Sequence, residues 1–286
     1  MKLLRVGAPG AERPALLDRD GTTLRDLSGL TADIDAALLA DGPALARIRA
    51  AADAGELPVL PADGVRVGPP LARVGKVVCI GLNYHDHAAE TGAQPPAEPV
   101  IFLKAADTVV GPYDTVLVPR GSHKTDWEIE LAVVIGRTAR YLGEDEDPLA
   151  YVAGYTISHD VSEREFQIER GGTWDKGKNC ETFNPLGPWL VTADEVPDPQ
   201  TLRLRLWVNG ERRQNGSTAD QIFPVREVVR YVSRFMTLYP GDVINTGTPA
   251  GVALGQPEPK PYLRAGDVVE LEVDALGRQR QEFAQA

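Results

Sequence analysis

Two glutamates, Glu128 and Glu130, run directly into the apolar segment 131–136, and this junction constrains the fold more than any other feature of the chain. The segment is typical of a buried strand. In a strand, residues i and i+2 project from the same face about 6.6 Å apart along the chain, so both carboxylates can converge on one point. Two anions at the mouth of a core require a counter-charge. The junction therefore predicts a β core that holds a hard divalent cation, Mg²⁺ or Mn²⁺, at the end of a strand.

A third acid, Asp160, ends the next strand-like segment, 155–159. For Glu128 and Glu130 alone, the solvated face of an antiparallel sheet remains an alternative to metal binding. Asp160 could also cap a turn or a helix. Ser162, however, has the capping-box spacing and predicts a helix that begins there, which leaves Asp160 outside it. Three acids together favour a metal site.

Composition indicates an ordinary globular protein that binds neither nucleic acid nor membrane. The chain has 286 residues, 43% of them hydrophobic, which supports a substantial core. A net charge of −11 without a Lys/Arg cluster disfavours nucleic acid. We expect a cytoplasmic location, because no long apolar run suggests a signal peptide or a membrane span. Two cysteines are too few for a disulfide framework, which agrees with a reducing compartment.

The positions of proline and glycine divide the chain into a small N-terminal α/β module, 1–70, and a main domain, 71–286. The module contains a hairpin that turns at 18–21, helical stretches around 34–39 and 44–52, and a Pro-punctuated connector over 58–70. The main domain repeats strand signals, and Asn209-Gly210 after one of them marks a hairpin. One helix is predicted from an apolar stripe that runs from Val225 to Met236 and includes Phe235, which we interpret as core packing. Because strands do not alternate regularly with long helices, we predict an α+β, mainly β fold with a mixed, rolled sheet.

A histidine and a glutamate form a candidate acid–base pair. His87 and Glu90 follow a strand at the i, i+3 spacing of one helix face. A carboxylate beside an imidazole orients the ring as a general base. A solvated pair is the alternative, and the metal candidate elsewhere in the chain favours the catalytic interpretation. His85 with His87 could suggest zinc, but no third nitrogen or sulfur ligand has a recognisable spacing.

Three further segments could complete a site. Lys178 lies in a Gly-punctuated loop and could neutralise a substrate carboxylate or an oxyanion, although exposed lysines are usually solvent groups. Residues 246–251 end a strand with hydroxyls and backbone N–H groups that suit a carboxylate ligand, or form a plain turn. The Gly- and Pro-containing stretch 90–99 could close over a substrate.

Together these motifs resemble the fumarylacetoacetate hydrolase family, from about Lys76 to the C-terminus. The resemblance implies a mixed β-roll, usually dimeric, that binds Mg²⁺ or Mn²⁺. The roles it implies are metal ligands at Glu128, Glu130 and Asp160, catalytic residues at His87, Glu90 and Lys178, and substrate contacts at Arg164, Gln167 and Thr248. The segment 171–178 is similar to the subgroup that acts on 2,4-diketo-3-deoxy sugar acids, whose members are also labelled ureidoglycolate lyase.

The implied reaction is hydrolysis of a β-diketo acid to pyruvate by a homodimer. The substrate would be a diketo sugar acid or a simple acylpyruvate. Oxaloacetate decarboxylation and ureidoglycolate lyase activity are alternatives in the same site. A non-catalytic protein stabilised by a coordinatively closed metal is the alternative from another class, and it would have no use for His87 or Glu90.

Overall fold

The fold is built mainly from β-strands, and the computed structural model describes residues 1–61 and 64–286. The strands are β1 Lys2–Val6, β2 Arg13–Leu17, β3 Leu24–Asp26, β4 Val67–Gly68, β5 Val77–Gly81, β6 Val100–Lys104, β7 Val109–Val110, β8 Val116–Val118, β9 Thr125–Asp126, β10 Ile129–Ile135, β11 Val152–His159, β12 Ser162–Glu163, β13 Asn184–Thr192, β14 Arg203–Val208, β15 Glu211–Ser217, β16 Val243–Asn245, β17 Val268–Val273 and β18 Gly277–Gln285. The α-helices are α1 Ala36–Ala40, α2 Gly42–Asp53, α3 His85–Glu90, α4 Asp175–Lys178 and α5 Val225–Val232. A π-helical turn covers Glu165–Glu169.

Two large sheets carry the architecture. The larger one runs in the order β3-β2-β1-β13-β11-β10-β16-β5-β6, and the second runs β15-β14-β17-β18-β8. Most pairs are antiparallel, whereas β16 with β5, β13 with β7 and β18 with β8 are parallel. This mixed pairing and the few short helices confirm the predicted α+β, mainly β fold.

The central strand β10 separates two hydrophobic cores. Ile129 and its alternate neighbours face a core shared with the second sheet and α5, whereas Ala132 and Val134 face a core shared with α1 and α2. Glu128 and Glu130 have the parity of Ala132 and Val134. Their carboxylates therefore project to the face of the second core, at the N-terminal end of β10.

The N-terminal strands extend the larger sheet. The predicted hairpin is present, since β2 pairs antiparallel with β3, and β1 pairs with β13 through Lys2 to Val191 and Leu3 to Leu190. Ala62 and Asp63, within the predicted connector 58–70, lie outside the described residues. The division of the chain at residue 70 stays a prediction.

The Asn209-Gly210 hairpin is confirmed, with both residues at positive φ, as a tight turn between β14 and β15 requires.

Two local predictions were wrong. Ser162 does not begin a helix, because β12 pairs with β9 and the Ser162 hydroxyl donates to the carbonyl oxygen of Asp160. Phe235 does not pack in the core, because α5 ends at Val232 and leaves the ring 63% exposed against Tyr231.

Candidate active site

The three predicted acids meet because of the register between β10 and β11. Ile129 is paired with His159, and the backbone N–H of Asp160 donates to the carbonyl oxygen of Glu128 at 3.0 Å. Asp160 therefore lies directly across the ladder from Glu128, on the face that Glu130 shares. One carboxylate oxygen from each acid lies within 4.8 Å of the others, and all three residues are buried.

Glu130 is the acid with the least compensation. One of its oxygens accepts a hydrogen bond from the backbone N–H of Gly247 at 2.7 Å, and no ion pair joins it to any described residue. Burial raises the pKa of Glu130 well above its ordinary value, and the charges of Asp160 and Glu128 raise it further. The carboxylate of Glu130 is thus held where a cation would relieve the repulsion.

Glu128 is bracketed by two cations. Lys178 Nζ lies 2.9 Å from Oε2, and Arg164 Nη2 lies 2.6 Å from Oε1. Burial opposes its ionisation, but the charges of Lys178 and then Arg164 outweigh burial and hold the pKa of Glu128 below its ordinary value. Glu128 therefore stays ionised.

Lys178 lies on the short helix α4, not in an exposed loop. Its ammonium also donates to Asp160 Oδ2 at 2.7 Å and lies 5.1 Å from the ring centroid of Phe102. Burial lowers the pKa of Lys178, but Asp160 and Glu128 together raise it above the ordinary value. Two of its three protons are committed to carboxylates, which leaves one for a ligand oxygen.

A second buried lysine, which sequence reasoning missed, holds the other side of Asp160. Lys104, the last residue of β6, makes an ion pair with Asp160 Oδ1 and donates to the carbonyl oxygen of Phe183 at 2.6 Å. Its side chain is fully buried. The pairing of β6 with β5 brings Lys104 next to Asp160, and the sequence carries no signal of that pairing.

Asp126 and Gln214 fix the loops around the site, and neither was assigned a role from the sequence. Asp126 accepts Arg164 Nε at 2.8 Å and the backbone N–H groups of Ala253 and Leu254. Gln214 accepts the backbone N–H of Ile129 at 3.0 Å and donates to the hydroxyl of Thr248 at 2.8 Å. Asp126 lies two residues before Glu128 in the sequence, and this position beside the acids was the available signal, whereas Gln214 lies in a polar strand without one.

His87 and Glu90 form the predicted pair on α3. His87 Nδ1 lies 2.8 Å from Glu90 Oε1, and the Glu90 carboxylate accepts the backbone N–H of Gly251 at 2.9 Å and 3.1 Å. With the Nδ1 proton directed at Glu90, Nε2 keeps its lone pair, and it makes no hydrogen bond with the described residues. His85, the other histidine of this helix, is exposed and is not part of the acid cluster.

A cavity of about 270 Å³ brings the predicted residues together. Its lining includes eight of the nine predicted site residues: His87, Glu128, Glu130, Asp160, Arg164, Gln167, Lys178 and Thr248. Glu90 stands behind His87. Arg164 donates to Gln167 Oε1 at 3.0 Å, so these two substrate-binding candidates are joined. Thr91 and Ala93, from the predicted closing stretch 90–99, also line the cavity.

The donor set suits a hard divalent ion. Four buried carboxylates and three buried cations form one connected cluster: Asp126, Glu128, Glu130, Asp160, Lys104, Arg164 and Lys178. With all of them ionised, the cluster carries one excess negative charge. A divalent ion would convert this to one excess positive charge, which suits an anionic substrate. Oxygen-only ligands match Mg²⁺ or Mn²⁺, not a soft metal.

No helix within residues 1–61 and 64–286 combines the length and the apolar character needed to cross a membrane.

Comparison with known proteins identifies the group to which this site belongs. The family model for the fumarylacetoacetate (FAA) hydrolase C-terminal domain matches residues 76–284. A Burkholderia multivorans protein described only as a hydrolase is 53% identical over 281 residues, which cover 98% of each chain.

Two solved structures share the whole fold. A fumarylacetoacetate hydrolase from Exiguobacterium antarcticum is 33% identical with a TM-score of 0.86, and all of both chains are covered. A maleylpyruvate hydrolase from Sphingobium sp. SYK-6, solved with a manganese(II) ion and pyruvate, is 30% identical with a TM-score of 0.81, again over all of both chains. The chain is therefore an enzyme of the fumarylacetoacetate hydrolase family.

Proposed function

We propose that the protein is a divalent-metal-dependent hydrolase that cleaves a carbon–carbon bond of a β-diketo acid and releases pyruvate. The substrate would be a 2,4-diketo-3-deoxy sugar acid or an acylpyruvate. The observation that carries the proposal is the His87–Glu90 pair, which opens onto the same cavity as the acid triad. The manganese and pyruvate bound by the Sphingobium enzyme support both the metal and the product.

An ion held by Glu128, Glu130 and Asp160 would supply Lewis-acid polarisation of the 2-oxo acid and would stabilise the enolate charge. His87 Nε2 takes a proton from water, and the water oxygen attacks the distal carbonyl carbon. Glu90 stabilises the imidazolium that forms and keeps the ring in place. The bond between carbons 3 and 4 then breaks, and its electron pair passes to the pyruvate enolate.

The free proton of Lys178 is available to an oxygen of that enolate. The imidazolium of His87 returns its proton to carbon 3, which yields pyruvate and a carboxylic acid. Arg164, Gln167 and Thr248 would orient the substrate from the buried end of the cavity. We further expect a cytoplasmic homodimer that binds neither nucleic acid nor membrane.

The test is a pyruvate assay with purified protein and Mg²⁺ or Mn²⁺, across diketo sugar acids, acylpyruvates, oxaloacetate and ureidoglycolate. We expect metal-dependent pyruvate from one of the first two classes and its loss when a chelator is added. Turnover of oxaloacetate alone would replace hydrolysis by decarboxylation, and turnover of ureidoglycolate alone would reject the C–C hydrolase assignment. A metal-binding protein without any turnover would support the non-catalytic alternative.

A second candidate is isomerisation of an unsaturated 2-oxo acid. A 2-hydroxyhepta-2,4-diene-1,7-dioate isomerase from Mycobacterium marinum is 32% identical with a TM-score of 0.75, covering 100% of this chain and 98% of that one. Isomerisation needs a proton to be moved between carbons but needs no attacking water. Incorporation of ¹⁸O from labelled water into the released acid separates the two reactions, because only hydrolysis incorporates it.

A further inference from the structure

The lining of the cavity changes character with depth. Every charged residue that lines it is buried, and these residues form the floor. The lining residues that reach solvent form the mouth, which comprises Leu82, Ala93, Phe102, Ile168, Trp174 and Leu254, together with Thr91. Six of these seven side chains are apolar, and none is charged.

The lysine and arginine of the floor are already paired with carboxylates. Arg164 pairs with Asp126 and Glu128, and Lys178 pairs with Glu128 and Asp160. An ion at the acid triad would attract the carboxylate of a 2-oxo acid, so the anionic end of a substrate has a partner there. Within the described lining residues, no unpaired lysine or arginine remains for a second carboxylate.

The apolar wall of the mouth is built closely. The rings of Trp174 and Phe102 meet edge to face, with centroids 5.3 Å apart. Trp174 also lies against the backbone of Gly81, where an added Cβ would come within 2.5 Å of the indole ring. Ile168 stands at the opening with 51% of its surface exposed. Phe102 and Ile168 offer a distal group contact area without hydrogen-bonding groups, and Trp174 adds a single donor, its indole N–H.

The polar groups near the mouth are also committed. The single hydroxyl proton of Thr91 is shared between the carbonyl oxygens of His87, at 2.9 Å, and Ala88, at 3.2 Å. Beyond the cavity, Lys176 donates to the carbonyl oxygen of Arg170, and Arg170 pairs with Glu165 at 2.6 Å. A distal chain that carries several hydroxyls or a carboxylate would therefore lose more hydration at the mouth than one indole N–H and the Thr91 hydroxyl oxygen can replace.

We infer that the mouth selects substrates whose distal group is uncharged and apolar, so the preferred substrate is an acylpyruvate with an alkyl or aryl acyl group. This specificity rests on the proposed cleavage of a diketo acid. Trp174, Phe102 and Ile168 are its determinants. Both sugar-like acyl groups and acyl groups that end in a carboxylate are disfavoured.

The first experiment compares kcat/KM for 2,4-dioxo acids that differ only in the distal group, with Mn²⁺ present. Alkyl, phenyl, polyhydroxylated and carboxylate-ended acyl groups of similar length are used. We expect the alkyl and phenyl substrates to exceed the other two by at least about tenfold, the scale of discrimination by an apolar pocket. Equal or reversed values would overturn the inference.

The second experiment places a charge in the mouth. Ile168→Lys should raise kcat/KM for the carboxylate-ended substrate by about tenfold and lower it for the alkyl substrate, because the half-exposed position tolerates lysine. Ile168→Gln removes the apolar contact without adding charge and should not give the gain. Tyr141→Lys introduces the same charge at a residue that is 71% exposed and outside the cavity, so it should change neither value. A gain with Ile168→Gln equal to that with Ile168→Lys would overturn the role of charge.

Binding separates this inference from the proposed function. A 2-oxo acid without a second carbonyl cannot be cleaved between carbons 3 and 4. Differences among the dissociation constants of such acids from the Mn²⁺-loaded protein therefore report the contacts of the distal group with the mouth. We expect a phenyl-ended acid to bind at least about tenfold more tightly than a carboxylate-ended one of equal length. Such a preference without any diketo acid turnover would reject only the proposed reaction. Turnover of diketo acids without this preference would reject only the apolar mouth.

Discussion

Glu130 differs from the other two acids because, among the described residues, no cation pairs with it. Glu130→Gln should therefore weaken metal binding more than it disturbs the fold, since it removes a repelled charge. At a metal concentration about 100 times Kd, linkage stabilises the folded wild type by about 2.7 kcal/mol. Thermal melts with and without Mn²⁺ should show this rise for the wild type and little of it for Glu130→Gln.

A matched control for that experiment is Glu12→Gln. Glu12 has a carboxylate side chain that is only 5% exposed, but it pairs with Arg5 and Arg66 in the N-terminal region. Its variant should be less stable throughout and still respond fully to Mn²⁺. If Glu130→Gln and wild type respond identically to the metal, Glu130 is not a ligand.

The His87–Glu90 pair predicts a loss of rate without a loss of metal. His87→Ala should lower kcat by roughly 10²- to 10⁴-fold, the usual scale for a positioned acid–base group. His85→Ala is the control, because that histidine lies on the same helix and is exposed. Steady-state kinetics and Mn²⁺ titration would check both variants. Full activity in His87→Ala would remove the residue from the mechanism, and loss of Mn²⁺ binding would make it a ligand.

Cys180 should be chemically quiet in the folded protein. Burial raises the pKa of this thiol to about 11, and the charge of Glu163 adds to the shift. The thiolate is the reactive form, so at pH 8 labelling by a maleimide should be roughly 100-fold slower than in the unfolded chain. Raising the pH from 8 towards 11 should restore the rate, and fast labelling at pH 8 would contradict the prediction. Mass spectrometry of the labelled peptides measures the rate at this residue.

Sequence reasoning reached the residues that a motif or a strand end marks, and missed those that only long-range contacts bring to the site. Glu128 and Glu130 share a strand face, so their proximity follows from local geometry, whereas Asp160 was marked by its place at a strand end and reaches them through the register of β10 and β11. Lys104 ends an apolar edge strand, where a lysine usually reaches into solvent. Its burial follows from the pairing of β6 with β5, which the sequence does not encode locally. The same holds for Gln214, whose contact with Ile129 crosses between the two sheets.

At the scale of elements, the loop after β16 links the acid triad to the His87–Glu90 pair. Its Gly247 N–H binds Glu130, and its Gly251 N–H binds Glu90. Gly251 has φ +110°, and a Cβ there would lie 2.0 Å from the carbonyl oxygen of Arg213. The loop can therefore approach β15 only with glycine at this position.

Gly251→Ala should lower kcat at least about tenfold, because displacement of the loop removes the N–H that orients Glu90. Gly210→Ala is the control, since Gly210 also has positive φ, +79°, but a Cβ there would meet no atom within 4 Å. That variant should lose about 1–2 kcal/mol of stability and keep its kcat. Kinetics and denaturant melts distinguish the two effects. Equal kcat values in both variants would mean that the loop does not position Glu90.

The errors at this scale have one physical cause. Ser162 has the capping-box spacing, yet the carboxylate of Glu163 is buried and accepts the backbone N–H of Lys124 at 3.1 Å. Long-range pairing with β9 thus overrides the local helix signal. The apolar stripe that predicted α5 likewise continues in the sequence to Met236, whereas the helix ends at Val232. In both segments a local sequence signal was overruled by tertiary contacts, which decide what forms at Ser162 and where α5 ends.

At the scale of the molecule, the first strand joins the N-terminal strands to the rest of the larger sheet, because it lies between β2 and β13. β1 covers the edge of β13, the Met1 ammonium donates to the Thr192 hydroxyl at 2.6 Å, and Arg49 pairs with Asp194 at 2.6 Å. We expect the full chain to unfold in one transition, because the sheet is shared. Removal of residues 1–70 should expose the edge of β13 and cause aggregation. Calorimetry would detect two separate transitions if the first 70 residues were an independent unit.

The lysine and arginine partners of the acid triad also bear on how readily a bound divalent ion would exchange. Because Lys178, Lys104 and Arg164 already neutralise much of the carboxylate charge, we expect the pocket to keep its shape when no metal ion is bound. The same cations lower the affinity of the site for a divalent ion, compared with a site made of carboxylates without positively charged partners. We therefore expect fast exchange and an ion content that follows the supply of Mg²⁺ and Mn²⁺ in the cell. Such an enzyme would sense scarcity of these ions as lost turnover, not as unfolding.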